Sequence, residues 1–182
     1  MHPSRKLLFI GDSLTEYFDW AGRFPQFEVT NIGIAGETVE ELLARMHAVC
    51  ASAKDPAFIF LMTGINNIAM EEFGIAKTYG EIVKNLTGCF RQAKVVVQSI
   101  LPVRLPWVEN EKIVVINRAL GELSEQFAAA YLDLYSFFTD SEGRPIADYL
   151  LADGVHLSAR GYAIWADAVE EFLKKQQREF PA

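Results

Sequence analysis

Apolar residues along the chain gather into five short runs separated by longer amphipathic stretches. The runs are Leu7–Ile10, Phe27–Ile32, Phe58–Met62, Val95–Val97 continued by Gln98 and Ser99, and Tyr131–Leu134. They are nearly continuous in hydrophobicity, as strands covered on both faces are. Between them lie Thr38–Ala51, Ala76–Arg91 and Asn110–Ala129, and after the last comes Ser158–Gln177. In that final stretch Tyr162, Trp165, Ala166, Val169, Phe172 and Leu173 recur at helical spacing, with Asp167, Glu170, Glu171, Lys174 and Lys175 on the other faces.

Strands alternating with helices predict an α/β fold, a parallel sheet with helices on both sides. Right-handed crossovers then favour a doubly wound, flavodoxin-like five-stranded sheet in the order 2-1-3-4-5. Two stretches read as irregular: Gly64–Gly74, and Leu101–Glu109 with Pro102 and Pro106. Both follow predicted strands, at the edge where such sheets bind ligands. No repeat, low-complexity tract or linker interrupts the pattern, and 182 residues suffice for one domain, residues 1–182, with a substantial core.

Composition narrows the partners. Hydrophobic residues make up 51% and charged residues 23%, ordinary for a globular protein. A formal net charge of -7 argues against nucleic acid or an anionic membrane as the main partner and suits a small neutral or cationic substrate. Cys50 and Cys89 fall in helix-like stretches without CxxC spacing, so both are expected as buried thiols with no disulfide. The apolar run after Lys6 is only four residues long, too short for a signal peptide's apolar stretch or a membrane span, and a cytoplasmic location is expected.

Candidate chemistry begins at Gly11-Asp12-Ser13-Leu14-Thr15, where a strand ends at a glycine that permits a tight turn. Ser13 follows near the start of a helix-like stretch; Asp and Ser are also the usual helix N-caps, so capping is an alternative reading. Of three histidines, His2 is expected in a frayed terminus and His47 on a helix surface, which leaves His156 in Asp153-Gly154-Val155-His156. Asp and His three residues apart across a turn can face the same way, so the carboxylate can hold one ring nitrogen and leave the other free. A serine hydroxyl needs such a base, and the base needs its tautomer fixed; a plain turn before a helix is the alternative. Donors for an oxyanion are offered by Gly36, in Asn31-Ile32-Gly33-Ile34-Ala35-Gly36, and by Asn66, in Gly64-Ile65-Asn66-Asn67, although each also suits a turn. In a 2-1-3-4-5 sheet the loops carrying Ser13, Gly36 and Asn66 are neighbours, and the loop after the fifth strand can bring His156 over the same edge.

Together these blocks, in this order and at this spacing, resemble the GDSL or SGNH hydrolases from about Lys6 to Leu173. The resemblance implies a three-layer α/β/α fold and cofactor-independent esterase, lipase, thioesterase or carbohydrate-deacetylase activity. It further implies Ser13 as nucleophile, His156 as base, Asp153 as its orienting acid, and an oxyanion hole of Ser13, Gly36 and Asn66. One position departs: the family's third block is usually Gly-x-Asn-Asp, whereas residue 67 is Asn. That form, with Asn-x-Gly-Ile-x-Gly at Asn31–Gly36, is similar to the catalytic subunits of platelet-activating-factor acetylhydrolases, which leans the expected substrate toward short acyl groups, acetyl among them.

Rival readings fit less of the chain. An α/β-hydrolase elbow needs glycine where Thr15 stands. An anion-binding module would use Gly11–Thr15, but no Gly-Lys-Ser/Thr or GxGxxG occurs, and such a module leaves Asp153 and His156 without a task. Metal-dependent hydrolysis lacks a second histidine near His156 in sequence. The stretch around Leu105 and Trp107 is expected to form one wall of the substrate pocket or else a packed surface loop.

Overall fold

Five parallel strands carry the fold in the computed structural model, which describes residues 5–179. They are β1 (Lys6–Gly11), β2 (Glu28–Asn31), β3 (Phe58–Met62), β4 (Lys94–Gln98) and β5 (Ala130–Leu132), in the order β2-β1-β3-β4-β5. β3 is buried along its whole length and β1 from Leu7 onward, as their unbroken apolar composition requires. The helices are α1 (Ser13–Glu16), α2 (Trp20–Arg23), α3 (Val39–Ser52), α4 (Ile65–Ala69), α5 (Ala76–Cys89), α6 (Asn110–Gln126) and α7 (Ala159–Glu179). Three of them, α1, α2 and α4, are four or five residues long, too short to show a helical period. The stretch Gly64–Gly74, expected to be irregular, therefore opens with a helical turn.

The chain moves leftward once, from β1 to β2, and rightward thereafter, so right-handed crossovers put α3, α5 and α6 on one face. There α5 packs between α3 and α6. On the other face Trp20 of α2 meets Trp165 of α7 edge-on at 4.9 Å, and Phe172 of α7 meets Phe58 and Phe60. Phe9 lies flat on Trp20 at 4.0 Å and on Phe60 at 5.0 Å, an aromatic layer under the first helix. The N–H of each of these two tryptophans finds a buried acceptor, Trp20 on the Thr15 carbonyl at 3.0 Å and Trp165 on Gln98 Oε1 at 2.7 Å.

The cysteines correct the sequence reading. Cys50, in the last turn of α3, and Cys89, the last residue of α5, form a disulfide with their Cα atoms 5.8 Å apart. Cys50 is half-buried and Cys89 exposed. Side-by-side packing of α3 and α5 brings together residues 39 apart in sequence, a separation that carries no local motif. For a loop of 39 residues the loss of unfolded-chain entropy is worth about 4 kcal/mol. The C50S/C89S double variant should therefore unfold at a clearly lower urea concentration; an unchanged midpoint would mean that the bridge contributes nothing to stability.

Candidate active site

The first turn after β1 is set by a close approach of two strands. Gly11 pairs with Met62 at the end of the β1–β3 ladder, and a Cβ on residue 11 would lie 2.0 Å from the Met62 carbonyl oxygen. Only glycine fits there. Asp12 then caps α1, its Oδ1 accepting the Leu14 N–H at 3.0 Å, and Ser13 becomes the first helical residue. Its N–H belongs to the first turn, whose donors have no acceptor within the helix.

The structure brings the three expected triad residues together. Ser13 Oγ lies 3.0 Å from His156 Nε2, and His156 Nδ1 lies 2.8 Å from Asp153 Oδ2. The other oxygen of Asp153 accepts the N–H groups of Val155 and His156, both at 2.9 Å. Partial burial works against the charge of Asp153, yet those N–H groups and the His156 ring outweigh it and hold the carboxyl below its ordinary value. A carboxylate can only accept, so Nδ1 carries the hydrogen and Nε2 keeps a lone pair for the serine hydroxyl.

Gly36 and Asn66 reach the same edge. The Ile34 N–H donates to the Gly11 carbonyl at 2.9 Å, which lays the loop after β2 beside the Ser13 turn. Gly36 has φ +80 in a turn closed by Glu37 N–H on Ile34 O at 3.2 Å, and nothing lies within 4 Å of where its side chain would begin. Asn66, in the first turn of α4, donates one amide hydrogen to the Glu37 carbonyl at 2.9 Å, so the loop and α4 are joined directly.

Several residues around the site were assigned no role there by the sequence. The Tyr17 ring stacks beside His156 with centroids 5.6 Å apart. Tyr162 of α7 donates to the Leu14 carbonyl at 3.0 Å, Asn31 donates to the Thr15 carbonyl at 2.9 Å, and Glu16 accepts the Ala35 N–H at 2.6 Å. Glu37, only 5% exposed, is gripped by Arg45, which also donates to the Ile32 carbonyl at 2.9 Å. Of these, the eight-residue spacing of Glu37 and Arg45 across a predicted helix start was the one readable signal. His47 is exposed on α3, and His2 lies outside the described residues. The expected wall splits: Trp107 reaches α4 with Nε1 on the Ala69 carbonyl at 3.0 Å, whereas Leu105 lines a separate groove of about 590 Å³ with Arg104, Asp140 and Arg144.

The chain is similar in sequence and fold to known proteins. The family model described as GDSL-like Lipase/Acylhydrolase matches residues 9–164. The chain is 27% identical over 181 residues to platelet-activating factor acetylhydrolase IB subunit alpha2 of Rattus norvegicus, covering 96% of this chain and 79% of that one. It is 28% identical over 178 residues to the alpha1 subunit of Mus musculus, covering 92% and 75%. Among solved structures, a Streptococcus pneumonia protein described as a platelet activating factor superposes with a TM-score of 0.84 at 26% identity, covering 93% of this chain and 84% of that one. A catalytic mutant of an acetylxylan esterase from Geobacillus stearothermophilus shares the fold, with a TM-score of 0.76 at 21% identity and coverage of 93% and 94%.

One titratable group under the site stands outside the relay. Asp12 is 1% exposed, and burial pushes its carboxyl up to about 7; the Leu14 N–H draws it back, Glu37 adds to the rise, and His156 and the Ile65 N–H oppose it. The unfolded chain loses this proton near 3.8 and the folded chain near 7. Its contribution to stability is thus complete below about pH 4 and is lost as pH rises through about 7. D12N keeps the oxygen that caps Leu14 and removes the charge. Relative to wild type it should gain on the order of a few kcal/mol between pH 4 and pH 8 in urea unfolding. A difference that stays constant with pH would assign the titration elsewhere.

Proposed function

The chain belongs to the GDSL-like lipase/acylhydrolase family, and on that footing we propose that it is a serine esterase acting on small carboxylic esters with short acyl groups, acetyl among them. Ser13 Oγ attacks the ester carbonyl carbon while His156 Nε2 takes its proton and Asp153 holds the ring. The oxyanion accepts hydrogen bonds from the N–H groups of Ser13 and Gly36 and from the second amide hydrogen of Asn66. The alcohol leaves with the proton from His156. Water then attacks the acyl-serine, His156 takes its proton in turn, and the acid departs as Ser13 recovers its hydrogen.

The observation that carries this reading is the relay from Asp153 through His156 to Ser13, with spacings of 2.8 and 3.0 Å. The short acyl group is supported by the relatives named as acetylhydrolases. A longer acyl chain is the second reading. It rests on large apolar side chains left exposed on the site loops, namely Tyr17, Ile34, Met70, Trp107 and Leu151. Such a rim suits an apolar part of the ester better than a carbohydrate.

No helix among the described residues is long and apolar enough to cross a membrane. The Cys50–Cys89 bridge favours an oxidising compartment over the cytoplasm expected from the short N-terminal apolar run, because cytosolic thiols are kept reduced. One domain carries the whole site in this reading.

S13A should abolish turnover of p-nitrophenyl acetate while leaving the thermal unfolding curve in place; retained turnover would take Ser13 out of the mechanism. N66A should lower kcat by about 10²- to 10³-fold, as loss of one oxyanion donor does, and an unchanged kcat would move the oxyanion site elsewhere.

A further inference from the structure

Two consecutive asparagines in α4 grip consecutive parts of the segment that enters α3. Asn66 holds the Glu37 carbonyl at 2.9 Å. Asn67 Oδ1 accepts the Val39 N–H at 3.0 Å, and its Nδ2 donates to Glu40 Oε2 at 2.8 Å and Glu72 Oε2 at 3.3 Å. The side chain is 1% exposed. Its orientation is forced, because a backbone N–H can only donate and two carboxylates can only accept. The carbonyl oxygen and both amide hydrogens are all used. An aspartate here could still accept from Val39. Its second oxygen, however, would face the carboxylate oxygens of Glu40 and Glu72 with no hydrogen between them, and charges that close do not all stay ionised.

We propose that Asn67 is a positioning residue for the oxyanion site and that Glu40 and Glu72 are its matched acceptors, so that this chain requires an amide where its family usually has aspartate. The inference rests on the esterase reading, in which Gly36 and Asn66 are the oxyanion donors. Gly36 immediately precedes Glu37, and Asn66 immediately precedes Asn67, so both donors hang from this one junction. Asn67 itself touches no reacting atom. The charged groups around it are Glu40 from α3 and Glu72 after α4, with Glu37 and its partner Arg45 next to them and Asp12 beyond.

The test compares wild type, N67D and the exchange variant N67D/E40Q/E72Q, in which donors and acceptors trade places. Each is assayed on p-nitrophenyl acetate from pH 6 to 9, with thermal midpoints recorded alongside. At low pH the introduced carboxyl keeps a proton and can still donate once. As pH rises it ionises against two neighbouring carboxylates. N67D should therefore lose kcat progressively with pH, reaching about 10²-fold at pH 8, the scale of one lost oxyanion donor, with KM little changed. The exchange variant should recover to within roughly fivefold of wild type and should regain the thermal midpoint, as coupled neighbours do when restored together. A folded N67D with wild-type kcat across the range overturns the proposal, as does an exchange variant no better than N67D. Should N67D fail to fold, the exchange variant must fold and turn over, and its failure to do so is equally decisive. A wild-type chain inactive on every ester would instead remove the esterase reading, and the recovery of the midpoint would still judge the matched network.

Discussion

The approach of Gly11 to the Met62 carbonyl is the constraint on which the rest of the site depends. Parallel pairing runs to the last residue of both strands, so β1 and β3 end side by side and must turn away together. One turn delivers Ser13 and the other delivers Asn66 and Asn67. The loop after β2 is drawn in by the hydrogen bond from Ile34 to the Gly11 carbonyl. A side chain at residue 11 would push the strands apart and spread all three loops at once. The place of Ser13 is thus a property of sheet pairing, with the helix cap at Asp12 adding the final direction.

Around this edge the charges are mostly acidic. Buried Asp12 and Glu37 and exposed Glu40 and Glu72 gather near the loops of Gly36 and Asn66, with Arg45 as the cation shown among them, and that guanidinium is committed to Glu37. In the proposed esterase mechanism, such a field offers no fixed positive charge to a developing oxyanion. Stabilisation in that mechanism would come from oriented N–H dipoles, in keeping with the hydrogen bonds that fix these amides. The acidic groups accord with the negative net charge, which suits a neutral or cationic ligand better than an anionic one.

The strands and long helices were legible because their patterns repeat. The run Phe58–Met62 is found as read, and the four long helices start within a residue of their predicted beginnings. Ser13, Asp153 and His156 could be singled out because the chain has few histidines and because a strand-end glycine and a three-residue Asp–His spacing both have a physical meaning. What could not be read depends on tertiary neighbours. The Cys50–Cys89 bridge needs α3 beside α5, Tyr17 needs the fifth-strand loop to return over α1, and α1, α2 and α4 are shorter than the pattern that would reveal them. The amide at Asn67 was legible as a departure. Its reason was not, since Glu40 lies 27 residues away.

Only Leu157 and Ser158 separate His156 from α7. That 21-residue helix is locked to the Ser13 side of the molecule by Tyr162 on Leu14, by Phe18 against Tyr162, and by Arg23 on Asp167 and Glu170. The imidazole therefore inherits the stiffness of a long rod instead of the looseness of a surface loop. Its alignment with the Ser13 hydroxyl is settled when α7 docks, so the relay from Asp153 through His156 to Ser13 assembles only once residues more than 140 positions along the sequence have folded back over α1.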